Sequence, residues 1–555
     1  MTKKVLFAFT FITALFLSDI SYSQNKKFWV MFKNKTGTPY SVSTPTAFLT
    51  AKSIARRTAQ GIAVNSTDLP VTPAYVTQVD AVSNVTVLYR SKWMNGVVVS
   101  IPASFTASAL SAINSFSFVQ SSSGVNRYKL SFPVIEKKPN LNLNNQKTEA
   151  VAAYNYGSSL NQAQMLGIDC MHNLGFRGQG KTIAVLDAGF NDVNLFDIFD
   201  SLFIQNRLLG TRDFIAGDTM VFNDHPHGAE VLSTMAGIKS GSIIGTAPKA
   251  SYWLLRTEDG ASETLSEEYN WIRGAEFADS VGADICTTSL GYTTFDGGLN
   301  DHTYATLNGK TAPMSIAANM AARKGMIVLN AAGNEGCSIP SSCWYYIAVP
   351  ADADSIITVG AVDPSGVKAG FSSFGPTADG RIKPDLVAQG GPALVCLYGS
   401  GCFMGNGTSF ATPILAGAVA CFWQSKPTLK SQQIITGLKQ YANNSLAPDN
   451  SIGWGIPNMC TTYYTTIGIK EDTKSSGWLI SPNPFTNEIS IKFNEEISNS
   501  VITVTDVCGR IISKTNISTS TGNFTIKDIS EISNGIYFVT VSSPDFNVTK
   551  KIVKQ

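Results

Sequence analysis

Apolar and polar positions follow three textures along this 555-residue chain. In the middle, short apolar runs recur at 182–187, 251–256, 285–289, 327–331 and 356–360. Runs of this length without polar alternation predict strands covered on both faces. Helical periodicity fills several intervals, most plainly 268–281 and 315–324. Strand and helix in alternation predict an α/β region, a doubly wound parallel sheet with helices on both faces. Before it, 24–135 reads as a separate α+β unit. Its strands are predicted at 27–32, 85–90, 96–101 and 116–120, and its helices at 47–57 and 106–115. From about 475 the period becomes two. Strands at 489–493, 502–506, 511–514, 524–526 and 536–541, with turns at Cys508-Gly509-Arg510 and Ser533-Asn534-Gly535, predict an all-β sandwich.

Boundaries follow from composition. Residues 135–151 are polar and rich in Lys and Asn, and 470–476 form a second polar linker. The N-terminus carries Lys3-Lys4, an apolar run over 5–17, then Ser21-Tyr22-Ser23. That pattern predicts a secretory signal peptide cut after Ser23, and the run is short for a membrane span. The expected domains are therefore 1–23, 24–150, 151–465 and 476–555. A content of 44% hydrophobic and 15% charged residues predicts globular domains. A net charge of +2 gives no reason to expect nucleic acid or acidic membrane as a partner. No later segment reads as transmembrane.

Nine cysteines suit an exported protein. Cys337 with Cys343, and Cys396 with Cys402, bracket short loops and are expected to bridge locally. Cys286 and Cys421 read as packed thiols, and the odd total leaves at least one thiol unpaired. With no C-x-x-C or Cys/His cluster, nothing points to a bound metal.

The chemistry concentrates in three motifs. Val185-Leu186-Asp187-Ala188-Gly189 is an apolar strand ending on an acid. His227-Gly228-Ala229-Glu230-Val231 places a histidine at a helix start. Gly407-Thr408-Ser409-Phe410-Ala411-Thr412-Pro413 puts a serine where a Gly-rich turn becomes an apolar helix, expected over 410–423 with Pro413 in its first turn. A serine hydroxyl needs a base to take its proton, and the base needs a third group to hold its tautomer. Ser409 is thus the candidate nucleophile, His227 the base and Asp187 the orienting carboxylate. Of the four histidines, His225 is expected in a loop beside the base. His172 and His302 are expected outside the chemistry.

In this order and with these flanks, the motifs resemble the subtilisin-like serine peptidases over about 151–465. The resemblance implies that Asn334, in Ala331-Ala332-Gly333-Asn334, donates to the oxyanion. It implies that Thr287-Thr288-Ser289-Leu290-Gly291 is the strand on which substrate lies, so Ser289, Leu290 and Gly291, with Ala332 and Gly333, are the expected substrate-binding residues. Two positions depart from the family. Ala188 and Ala229 stand where a hydroxyl side chain is usual. The N-terminal unit resembles a subtilase propeptide, which assists folding and blocks the cleft, with cleavage expected between Lys137 and Tyr154. The C-terminal segment resembles the sorting domain of type IX secretion, through Ser481-Pro482-Asn483-Pro484, the turn from Asp506 to Arg510, Asn534 to Tyr537, and the basic end from Lys550 to Lys554.

Together these readings imply a secreted or surface-held serine endopeptidase, made as a zymogen and exported through the periplasm. Its expected partners are protein or peptide substrates and the type IX machinery, and it is expected to be a monomer. No cofactor enters the chemistry. Subtilisin-like enzymes often bind structural Ca²⁺, but no ligands are assignable from the sequence. The rival is a catalytically silent adhesin on the same scaffold.

Overall fold

The computed structural model describes residues 25–125, 154–466 and 478–554, apart from 299, 340, 494–496, 507–508, 521–522 and 544–546. The expected signal peptide, the linkers at 135–151 and 470–476, the cleavage interval except Tyr154, and Cys508 lie outside the described residues. Residues 1–460 pack as one compact unit and 461–555 as another.

The first unit opens with β1 (Asn25–Phe32), α1 (Ala51–Gln60), α2 (Pro73–Asp80), β2 (Thr86–Ser91), β3 (Gly96–Pro102), α3 (Thr106–Asn114) and β4 (Val119–Gly124). The strands form an antiparallel sheet in the order β2-β3-β1-β4. Helix α2 was not anticipated, and β4 begins three residues later than expected. Strand alternation sends Phe28, Val30, Val97, Val99 and Ile101 into this segment's own core. The opposite face, with Trp29 and Val98, joins the large core around Tyr269 and Trp271. Trp29 stacks on Tyr269 with ring centroids 5.0 Å apart. Strand β3 is therefore apolar nearly throughout, because both its faces are covered.

The rest of this unit runs α4 (Leu160–Gln164), α5 (Ile168–Asn173), β5 (Thr182–Asp187), α6 (Asp200–Ile204), β6 (Leu208–Asp213), α7 (His227–Ala236), β7 (Ile238–Lys239), β8 (Ile243–Ile244), β9 (Ser251–Arg256), α8 (Leu265–Val281), β10 (Ile285–Thr288), α9 (Pro313–Arg323), β11 (Ile327–Ala331), β12 (Ile357–Val362), β13 (Leu386–Gln389), the hairpin β14 (Ala393–Leu397) and β15 (Gly401–Gly405), and α10 (Thr408–Ser425). Seven strands form a parallel sheet in the order β13-β12-β11-β10-β5-β9-β6. Helices α8 and α9 pack together on one face, and α7 and α10 on the other. Such sheets collect functional groups beyond the carboxyl ends of their strands, near the point where strand order reverses.

The opposite, amino-terminal edge of the sheet is closed by α1. The guanidinium of Arg56 lies 2.5 Å from Asp279, and that of Arg57 lies 2.6 Å from Asp279 and 3.0 Å from Asp68. Lys324 completes the group at 2.8 Å from Asp68. Arg57, Asp68 and Asp279 are almost wholly buried. Gln60 bridges Gly325 O at 2.6 Å and Ser431 N at 3.0 Å. Helix α8 ends on Gly282 at φ +81°, where a Cβ would meet Ser53 N at 2.7 Å, so both conformation and contact require glycine.

The second unit comprises β16 (Trp478–Ser481), β17 (Ile489–Phe493), β18 (Ile497–Asp506), β19 (Ile511–Ser520), β20 (Asn523–Ile526), β21 (Gly535–Ser542) and β22 (Asn547–Lys554). They form two antiparallel sheets, β16-β17-β20 and β19-β18-β21-β22. Inward-facing Ile489, Ile491, Ile502, Val504, Val539, Val541 and Ile552 share one core. The Pro-flanked Asn483 clamps the last strand, donating to Lys551 O and accepting from Val553 N, both at 2.9 Å. Arg510 closes its turn on Asp506 at 3.0 Å.

Candidate active site

Asp187 is the last residue of β5 and is fully buried. Its Oδ1 accepts from Ala188 N and from His227 Nδ1, each at 2.8 Å. His227 opens α7, with His225 serving the helix start, because His225 Nδ1 accepts the His227 N–H at 3.2 Å. A backbone amide can only donate, so that nitrogen of His225 carries no proton. Two glycines let the acid and histidine segments meet. A Cβ on Gly228 would lie 2.3 Å from Gly189 O, and one on Gly189 would lie 2.5 Å from His225 N.

Burial alone would lower the pKa of His227. The charge and hydrogen bond of Asp187, with Glu230 and Glu258 adding to them, outweigh burial and hold it at about 9. With Nδ1 turned to Asp187, Nε2 is the ring's remaining nitrogen. Asp187 Oδ2 is buried without a hydrogen-bond partner among the described residues, and the neighbouring Ala188 has no hydroxyl to offer it.

Ser409 is the second residue of α10, which starts at Thr408 rather than at Phe410. Pro413 is therefore beyond the first turn, a correction to the expected placement. Lacking an N–H, Pro413 cannot donate to the carbonyl four residues back, which is Ser409 O. Ser289 fills that gap, since its Oγ donates to Ser409 O at 2.8 Å. In return, Ser409 Oγ donates to Ser289 O at 3.3 Å. The serine hydroxyl is thus turned to the strand end rather than hydrogen-bonded to His227. The ring of the next residue, Phe410, lies 6.2 Å from the His227 ring.

Asn334 is exposed in the turn after β11. Its Oδ1 accepts from Thr408 N and Thr408 Oγ1, each at 2.9 Å. Two donors on Oδ1 orient the amide and leave Nδ2 as the donor without a partner among the described residues. Thr408 was overlooked in the sequence, although it stands beside Ser409 in the same motif. Ser409 N–H, in the first turn of α10, also has no partner among the described residues.

The expected substrate residues divide. Strand β10 ends at Thr288, so Ser289, Leu290 and Gly291 continue past it. Leu290 is 7% exposed with its carbonyl held by Asn330 Nδ2 at 3.2 Å, while Gly291 is exposed. Gly333 takes φ +111°, which favours glycine. Ala332 is a correction. Its side chain is fully buried, and its N–H and C=O are taken by Val359 and Ala348, so it has nothing to present to a ligand.

Arg256, Glu258 and one disulfide were not anticipated. Arg256 ends β9 beside Asp187. Glu258 accepts from Tyr292 Oη at 3.2 Å, and burial with the charge of Asp187 pushes its carboxyl up to about 7. The bridge Cys170–Cys460 spans 290 residues, whereas the expected bridges Cys337–Cys343 and Cys396–Cys402 are both formed. Cys286 and Cys421 are free and buried. His172 lies buried between Tyr156 and Thr246, and His302 pairs with Glu268 at 2.6 Å.

Among the described residues, no group of three or more His, Cys, Asp or Glu side chains could hold a metal ion. No helix among the described residues is long and apolar enough to cross a membrane.

Three family descriptions match the chain. Residues 178–455 match the Subtilase family, 27–146 the Peptidase S8 propeptide domain of Bacteroidota, and 479–555 a Secretion system C-terminal sorting domain. Subtilisin NAT of Bacillus subtilis subsp. natto is 32% identical over 275 residues, which are 49% of this chain and 63% of that protein. Subtilisin Savinase of Lederbergia lenta is 30% identical over 291 residues, 52% of this chain and 92% of that protein. Among solved structures, MycP1 with its N-terminal propeptide removed superposes with a TM-score of 0.43 at 22% identity, covering 57% of this chain and 98% of that one.

Proposed function

Because this chain belongs to the subtilase family, we propose that it is a serine endopeptidase made as a zymogen, with Asp187, His227 and Ser409 as its triad. Its C-terminal domain is a type IX sorting domain, which directs it to the outer-membrane surface or the medium. The observation that carries the reading is the 2.8 Å contact from Asp187 to His227 Nδ1. It holds the imidazole in the tautomer that presents Nε2 as a base. A peptide lies along Ser289, Leu290 and Gly291 by main-chain pairing. As Ser409 Oγ leaves Ser289 O to attack the scissile carbonyl, His227 Nε2 takes its proton. The tetrahedral oxyanion is received by Ser409 N–H and Asn334 Nδ2. His227 then protonates the leaving amine, and water resolves the acyl-enzyme.

The zymogen reading is supported along α8. Glu276 accepts from Ser91 Oγ, from Lys92 N at 3.0 Å and from Trp93 N at 3.0 Å, while Ser266 Oγ donates to Val125 O at 3.1 Å. The propeptide thus grips the helix whose loop flanks the cleft.

A peptidyl phosphonate tests the reading. It should label the matured wild type at Ser409 and leave Ser409→Ala untouched, and purified Ser409→Ala should accumulate unprocessed. A folded wild type that is never labelled would leave the silent adhesin as the better account.

A further inference from the structure

We infer that Arg256 is a positioning residue, which locks the strand end bearing Asp187 to the loop leading into His227 so that their hydrogen bond keeps its geometry through turnover. This rests on the triad reading given above.

Strand β9 lies between β5 and β6, and its last residue, Arg256, is in register with Asp187 on one side and Asp213 on the other. The side chain is only 9% exposed, so its hydrogen bonds face little competition from water. Arg256 Nε donates to Ala188 O at 3.1 Å, one residue after Asp187. Arg256 Nη1 donates to Asp213 Oδ2 at 2.8 Å and lies 3.1 Å from Asp224 Oδ1, three residues before His227. Asp259 stands 3.8 Å from Nη2. Asp213 is itself held, because its Oδ1 accepts from Ile215 N and Ala216 N at 2.6 and 2.9 Å.

One planar guanidinium therefore joins the acid segment, the histidine segment and the next strand end. The backbone bonds from Asn191 N to His225 O and from Asp192 N to Phe222 O tie the same two segments further along the chain. Arg256 adds the tie at Ala188, next to the acid itself. This task suits arginine, whose fixed fork of donors can meet several acceptors at once. A lysine is a single point charge on a flexible stem and cannot span Ala188 O, Asp213 and Asp224 together.

The test uses full-length chains processed in trans by wild-type enzyme, comparing wild type, Arg256→Lys and Asp224→Asn. Peptide hydrolysis, phosphonate labelling of Ser409 and thermal midpoint are read for each. Arg256→Lys keeps the charge against its acids but loses the fork. Its kcat and its labelling rate should each fall about tenfold with KM within about twofold, since a small misplacement of reacting groups acts on the chemical step. Asp224→Asn, which weakens only the link to the histidine loop, should show a smaller fall of the same kind. A folded Arg256→Lys with kcat within twofold of wild type would overturn the inference. A raised KM with kcat retained would also overturn it and would make Arg256 a substrate-binding residue. A wild type that the phosphonate fails to label overturns the peptidase reading itself, which separates the two failures.

Discussion

The two ends of the parallel sheet use their polar groups differently. At the carboxyl end, Asp187 Oδ2, Asn334 Nδ2 and Ser409 N–H have no partner among the described residues, and Ser409 Oγ makes one long bond of 3.3 Å. At the amino end, Arg56, Arg57, Asp68, Asp279 and Lys324 are ion-paired to one another and shut away from water, although Arg56 Nε and Arg57 Nε lack hydrogen-bond partners among the described residues. Donors left free have room to strengthen their bonds when charge develops in a transition state. Charges that are paired and desolvated hold two segments together, and losing one partner is costly because the other stays buried. On the peptidase reading, the first end serves exchange with a substrate, and the second holds the propeptide helix α1 in one place.

Several changes would break or sharpen that contrast. The largest effects, similar in free energy, are expected at the two ends themselves. Asn334→Ala should lower kcat by about 10² to 10³, the size of the loss expected for one oxyanion-hole donor, with KM little changed. A KM effect with kcat intact would show that Asn334 serves the ground state. At the closed end, Arg57→Met in the uncleaved Ser409→Ala chain should cost about 3–5 kcal/mol of stability in denaturant unfolding. Matured enzyme obtained from an Arg57→Met chain loses that residue with its propeptide, so its kcat/KM should stay within about twofold of wild type. An unchanged unfolding curve would remove the closed end as an anchor.

Next in size is the pH dependence. His227 must be neutral to accept a proton, and its pKa is held at about 9 by Asp187 against the opposing effect of burial. Log kcat/KM should therefore rise with pH and level off above that value. The sign for stability is the reverse. A histidine whose pKa is raised on folding contributes fully below its ordinary value of 6.5, and that contribution is lost as pH climbs through about 9. A rate already flat by pH 7 would contradict the strength of the pair. Smallest is Ala188→Ser. A hydroxyl placed beside the unpartnered Asp187 Oδ2 should raise kcat about threefold, the size of one added hydrogen bond. No change in rate, with the serine bonded elsewhere in a crystal structure, would show that the vacancy does not limit turnover.

Much of the site was legible in the linear chain. Asp187, His227, Asn334 and Ser409 each sit in a short motif whose glycines and apolar flanks say where a strand stops and a helix starts. These are local features, and local features survive in sequence. Ala332 was misjudged for the complementary reason. Its motif is local, but the groups that occupy its backbone, Val359 O accepting and Ala348 N–H donating, belong to segments that follow later in the chain. The neighbour that covers the separate unit at 24–135 was hidden for a similar reason. Strand β3 is apolar on both faces, a sign of cover from outside, but nothing in the sequence names what covers it.

By itself, then, the sequence determined the order of the three regions, the α/β, α+β and all-β textures, and the candidate site residues with their turns, because periodicity and turn chemistry act over a few residues. Tertiary structure alone decided how the charges are used. Arg256 meets Asp213 across 43 residues, and Arg57 meets Asp279 across 222. The bridge from Cys170 to Cys460 spans 290. A charged residue read in isolation looks like solvated surface, since burying it without a partner would be prohibitive. Only the fold supplies the partner, and with it the reason that Arg57 lies under the sheet and Arg256 lies beside the acid.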